Sequence, residues 1–204
     1  MIPSDQKLHY AENCREVLAE LNEAKAEGRL LIYLDEITFT KRSLLAREWS
    51  SKNCNLSVDQ KEVYIGYRSV IATITEEKGV GLYSIYMQSI NADDFIEYLK
   101  KLRAKNGIHP ISLFMDRLNV HRSTKVKPLY AQLNISPIYN VAYSPATNPI
   151  EAVFSKVKAV FCRQRANCLV NKLGFNFDKE IRDALRTITT DHCSACVRKS
   201  LFLL

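Results

Sequence analysis

Residues 30–39 read Leu-Leu-Ile-Tyr-Leu-Asp-Glu-Ile-Thr-Phe, and residues 109–116 read His-Pro-Ile-Ser-Leu-Phe-Met-Asp. Neither run alternates apolar with polar residues as a strand with one face in water does. A strand that is apolar on both faces must be covered on both, which demands an α/β architecture with helices above and below a sheet. Each run also carries an aspartate towards its end, Asp35 and Asp116. A buried strand has no structural use for a carboxylate, and an unpaired one costs several kcal/mol. Two carboxylates held close repel each other, and a divalent cation is the simplest remedy.

The rest of the pattern supplies the layers. Leu8, Ala11, Cys14, Leu18 and Leu21 fall near helical spacing over residues 6–27, and Gly28 is a suitable stop. Residues 63–75 and 81–90 are rich in β-branched and aromatic residues and read as two strands joined by a hairpin. Residues 91–107 read as a helix capped by Asn91, with Phe95, Leu99 and Leu102 on one stripe and Gly107 at its end. A short helix is expected within 122–133, a short strand at 135–141, a helix from Asn148 through Arg165, and a last helical stretch at 177–190. The first three strands can form an antiparallel meander. The two later strands, reached through helices, add in parallel on the other side of the first. The expected fold is therefore α/β, a mixed five-stranded sheet flanked by helices. It occupies residues 30–165, with helical extensions at 1–29 and 166–204.

Composition bounds the partners. No apolar run approaches the roughly 20 residues of a membrane span, so no membrane partner is expected. The net charge of +7 and pI near 9.1 suit a polyanion. Six scattered cysteines read as reduced intracellular thiols. Cys193 and Cys196, after His192, have a spacing that can bind zinc, but one such pair reads better as small buried thiols. Residues 40–60 are irregular and hold Trp49, expected either inside a loop cluster or against DNA or a second subunit.

Acids are unevenly placed. Residues 117–177 contain a single acid, Glu151, where the average content would place about six or seven. The same span holds Arg117, Arg122, Lys125, Lys127, Lys156, Lys158, Arg163 and Arg165, a field suited to a phosphate backbone. Residues 156 and 163 are seven apart, as are 158 and 165. The pair farther from Val157, Val160 and Phe161 is the one expected to meet DNA. Glu151 follows Asn148, Pro149 and Ile150, so it can close a capping box at a helix start. In so basic a field it also reads as a third metal ligand. Oxygen donors without a His/Cys cluster point to Mg²⁺ or Mn²⁺. Two such ions about 4 Å apart serve in-line phosphodiester cleavage.

These residues resemble the catalytic domain of mariner-superfamily DDE transposases and their bacterial insertion-sequence relatives. Tyr-Leu-Asp-Glu-Ile-Thr-Phe (33–39) looks like the first-Asp motif of that family. Leu-Phe-Met-Asp-Arg-Leu-Asn-Val-His (113–121) looks like the second, with a His five residues after the Asp. Tyr-Ser-Pro-Ala-Thr-Asn-Pro-Ile-Glu (143–151) is similar to the third, and 34 residues separate Asp116 from Glu151. The resemblance implies a ribonuclease H-like fold, with Asp35, Asp116 and Glu151 as catalytic metal ligands for two Mg²⁺ or Mn²⁺ ions. It implies a DNA endonuclease and strand transferase that cuts by hydrolysis and then attacks target DNA with the 3′-hydroxyl. Glu36 should face away from Asp35, as strand neighbours do, and is left out of the site. Two residues depart from the family pattern: Arg117 stands where Asn is usual, and Phe154 where Trp is. Such transposases read their DNA ends with helix-turn-helix modules, whereas residues 1–29 supply one helix. The chain is thus expected to work as a homodimer or with a separate DNA-recognition subunit, in the nucleus of a eukaryote or the nucleoid of a bacterium. The alternative is a domesticated, non-catalytic DNA-binding or assembly protein that keeps the fold.

Overall fold

The computed structural model describes residues 4–39 and 66–204. Trp49 and the whole irregular stretch 40–60 lie outside the described residues. Five strands form one sheet: β1 (Leu30–Phe39), β2 (Arg68–Thr75), β3 (Gly79–Tyr86), β4 (Ile111–Met115) and β5 (Ile135–Tyr139). Their order is β3-β2-β1-β4-β5. β1–β2 and β2–β3 are antiparallel, while β1–β4 and β4–β5 are parallel. This is the mixed sheet expected from the sequence, with the first strand at its centre.

Both faces of β1 are covered, as its unbroken apolar run requires. Tyr33, Ile37 and Phe39 pack with Phe114 of β4 under four helices: α1 (Ser4–Ala26), α4 (Pro149–Val170), α5 (Phe177–Arg186) and α6 (Thr190–Leu201). Ile32 and Leu34 pack with Leu113 and Met115 under α2 (Ala92–Asn106) and α3 (Lys127–Gln132). Each large apolar side chain so buried contributes about 1.5–3 kcal/mol. Phe154 is in the first of these cores, so the phenylalanine serves as packing. Asn91 caps α2 in a reciprocal box with Asp94, as Asn91 alone had suggested.

Two boundaries depart from the sequence reading. The third strand runs Gly79–Tyr86 and stops short of residue 90, because Ser89 and the residues after it lead into the α2 cap. The helical stretch expected at 177–190 is α5, which ends at Arg186, and a further helix, α6, follows beyond it. Thr189 starts α6 by accepting a hydrogen bond from the His192 backbone. The buried side chains of α6 are Cys193, Cys196, Val197 and Ser200, too small and mixed to show an aliphatic stripe. Cys193 and Cys196 are therefore packed thiols on a helix face.

Candidate active site

The parallel pairing of β1 with β4 sets the geometry. Leu30 faces Ile111 and Tyr33 faces Phe114, and that same offset separates Asp35 from Asp116. Pairing stops at Tyr33, so the two aspartates sit just beyond the last paired residues, where the strands part. Side chains alternate along strands, which puts both on the face that carries Tyr33 and Phe114. Asp35, Asp116 and Glu151 line one open cavity of about 560 Å³ together with Arg117 and Asn148.

Glu151 arrives from the other side, on the first turn of α4. The turn that delivers it is heavily cross-linked. Asn140 Oδ1 accepts from the Val141 N–H at 2.8 Å and from Thr147 Oγ1 at 2.6 Å, and its Nδ2 donates to the Ser144 carbonyl at 2.9 Å. A short 3₁₀ turn, Pro145–Thr147, follows. The capping box is not formed. The Asn148 N–H is already taken by the Pro145 carbonyl at 2.9 Å, leaving Glu151 nothing to cap. The Asn148 side chain instead reaches β1, donating to the Leu34 carbonyl at 3.2 Å. Its Oδ1 is buried with no hydrogen-bond partner. The helix-capping explanation of Glu151 thus fails on geometry, and its carboxylate is left facing the cavity.

Electrostatics follow from this crowding. Burial pushes the Asp35 carboxyl up to about 7, and the negative charges of Glu151, Asp116 and Glu36 push the same way. The Glu36 N–H, 2.7 Å from Asp35 Oδ1, offsets part of the rise. Glu151 is also raised, chiefly by burial and by Asp116, against the pull of Lys158 and a hydrogen bond with Asp35. Both carboxyls are therefore harder to ionise here than in water.

Behind the aspartates lies a contact that the sequence reading missed. His121 is fully buried, its ring 4.6 Å from that of Phe95. Its Nδ1 is 3.0 Å from Asp116 Oδ1 and its Nε2 is 3.4 Å from Glu36 Oε1, the latter within ion-pair range but off hydrogen-bond geometry. Burial opposes a charge on the ring, but Asp116 and Glu36 outweigh it and lift the His121 pKa to about 9. Glu36 does face away from Asp35, as alternation requires, yet it connects to Asp116 through this imidazolium. The available signal was His121 itself, five residues after Asp116.

The donors fit a hard divalent cation: three carboxylates and, beside them, an unpartnered amide oxygen on Asn148. They share the cavity without converging on one point. Among the described residues, no three His, Cys, Asp or Glu side chains stand close enough to hold a metal ion.

A family model for DDE superfamily endonucleases matches residues 30–170. The chain belongs to that superfamily. No curated protein matches it by sequence. Among solved structures, the DDE chain is similar to the Mos1 strand transfer complex, with a TM-score of 0.70 at 12% identity. That match covers 100% of this chain and 60% of the Mos1 chain. It is also similar to the Mos1 transposase catalytic domain solved with raltegravir and Mn, with a TM-score of 0.65 at 12% identity. There it covers 99% of this chain and 92% of the other. A Mos1 mariner paired end complex with Mn gives 0.69 at 13% identity, over 99% and 61% of the two chains. The fold is ribonuclease H-like, and this chain spans about three-fifths of the Mos1 chains in those complexes.

The basic residues of the DDE domain are not one surface. Arg117 is at the cavity, its Nε donating to the Asn140 carbonyl at 3.1 Å. Lys158 lies beside Glu151. Lys156 faces α6, near His192 and Cys193. Lys125 is engaged by Asp93 at 3.1 Å, while Arg122, Lys127 and Arg163 are exposed. Arg165 corrects the expectation of a phosphate contact: it is 3% exposed, with its guanidinium 4.4 Å from the Phe175 ring centroid. Lys158 and Arg165 project at nearly the same angle. They differ because Phe175 and Phe177 fold over Phe161 and the later turns of α4, and leave the first turns open.

Proposed function

We propose that this chain is the catalytic domain of a DNA transposase, cutting a DNA strand by metal-dependent hydrolysis and joining the 3′-hydroxyl to target DNA. One observation carries the reading: Glu151 is freed from helix capping and shares a cavity with Asp35 and Asp116. Family membership supports it, as does likeness to Mos1 complexes named for paired ends, strand transfer, Mn and Mg. Asp35, Asp116 and Glu151 would hold two Mg²⁺ or Mn²⁺ ions. Such ions, when bound, neutralise the scissile phosphate and acidify an attacking water. The chain's residues do the positioning. The register of β1 with β4 fixes the aspartates, Asn148 fixes the start of α4, and Arg117 and Lys158 offer cations to the DNA phosphates. Burial favours the protonated form of Asp35, so a bound cation would compete with that proton. A second copy or a further subunit would complete the DNA-bound assembly, in keeping with the paired-end Mos1 complexes.

Arg117 favours a second reading, a non-catalytic DNA-binding or assembly protein, because its cation occupies the same cavity as the carboxylates. Nicking of supercoiled plasmid in Mn²⁺ by the wild type and by Asp116→Ala separates the two. Nicking by the wild type that Asp116→Ala loses supports the transposase. A folded wild type that binds DNA and does not nick it overturns that reading in favour of the second.

A further inference from the structure

The two aspartates have the same unexplained feature: each has one oxygen already occupied from within the protein. Asp35 Oδ1 accepts the Glu36 N–H at 2.7 Å. Asp116 Oδ1 lies 3.0 Å from His121 Nδ1 and 3.4 Å from the Leu118 N–H. His121 is in turn 3.4 Å from the Glu36 carboxylate. Both restraints therefore lead to one residue. The Glu36 backbone N–H holds Asp35, and the Glu36 side chain, which leaves β1 on the opposite face, connects to Asp116 through His121. The His121 ring is pinned on Phe95 and fully buried, so it has little freedom to take another orientation.

We propose that Glu36 is a positioning residue that ties Asp35 and Asp116 together, fixing both Oδ1 atoms inward so that both Oδ2 atoms are left to the cation. This rests on the metal-site reading above. A carboxylate that can rotate freely must be ordered when a cation binds, and partners that orient a ligand typically contribute about 10–100-fold in metal affinity. Side-chain alternation prevents Glu36 from being a ligand itself, because its carboxylate leaves β1 on the face opposite Asp35.

The test uses Mn²⁺ alone as the probe, with free Mn²⁺ counted by electron paramagnetic resonance, on the full chain without DNA. Glu36→Gln is expected to weaken Mn²⁺ binding about tenfold, with some fall in the metal-free melting temperature, because Glu36 lies against the buried His121. His121→Asn should weaken it similarly. The double variant should be no weaker than His121→Asn alone, because both act through Asp116 Oδ1. Additive losses, or Mn²⁺ affinity within twofold of wild type in Glu36→Gln, would overturn the proposal. A wild type that binds no Mn²⁺ at millimolar concentration, and does so no better than Asp116→Asn, would instead overturn the metal site itself.

Discussion

The side-chain amide of Asn148 donates to the carbonyl of Leu34, 114 residues away, at 3.2 Å. That bond ties the start of the helix carrying Glu151 to the residue preceding Asp35. Asn148→Ala should therefore cost about 1–3 kcal/mol of stability, the usual penalty for breaking a buried hydrogen bond. If displacing Glu151 matters, cleavage should fall further than stability does, on the order of 10²-fold. Thermal melts and plasmid nicking on the same preparation check both. An unchanged melt would show the bond to be dispensable.

Glu151→Gln should keep the fold and lose the chemistry. The carboxylate caps nothing, and burial already disfavours its charge. The melting temperature is expected to stay level or rise, with Mn²⁺-dependent nicking abolished. A loss near 1 kcal/mol, the worth of a helix cap, would contradict the geometry described above.

Stability of the metal-free protein should fall as pH rises. Asp35 has a folded pKa of about 7 against 3.8 for the free side chain, so the folded state binds this proton more tightly. Its contribution is present at low pH and is lost between about pH 4 and 7. His121, at about 9 against 6.5, contributes stability that is complete below pH 6.5 and is lost as pH rises through 9. Both slopes have the same sign. Asp35→Asn should flatten the acid half of the curve and leave the alkaline half, which denaturant melts at stepped pH would show. An Asp35→Asn curve parallel to wild type below pH 7 would refute the assignment.

Lys158 and Arg165 should separate binding from folding. Lys158→Ala is expected to weaken DNA binding uniformly across sequences and to reduce the salt slope by about one. Arg165→Ala should instead lower the melting temperature, because its stem and guanidinium are packed on Phe175. Equal effects of the two on DNA affinity would contradict their different burial.

Tyr143 has a φ of 59° and is 66% exposed. The left-handed backbone costs a non-glycine residue about 1–2 kcal/mol, and little packing offsets it. Tyr143→Gly should raise the melting temperature by roughly 2–4 °C. A fall in a thermal scan would mean that the ring contributes more than its exposure suggests.

The sheet was legible because β1 and β4 are apolar on both faces, which leaves few arrangements for them. The aspartates were legible because a carboxylate has no place at the end of such a run. Glu151 stood out through the absence of other acids around it. What stayed hidden depends on contacts between distant residues. Nothing near Asn148 reveals that its amide is claimed by Leu34, and nothing in Asn140 foretells its bonds to Ser144 and Thr147. Glu36 was set aside by a correct alternation rule, which describes where a side chain leaves the strand and not what a buried histidine can relay. Helical angle could not distinguish Arg165 from Lys158, since a phenylalanine beyond the helix decides which of them is covered.

The cross-linked turn at residues 140–148 divides the cavity into two regions of unequal durability. β1 is bonded to strands on both sides, so its amides exchange with solvent only when the whole sheet opens. The turn is held by a few side-chain bonds centred on Asn140, and opening it exposes far less apolar surface. Hydrogen exchange should be faster at residues 141–148 than along β1. Each such excursion would release the Asn148 tether on Leu34 while Ile150 and Val153 keep α4 in the core and the aspartates keep their register, so the rim of the cavity can loosen and re-form without the chain unfolding.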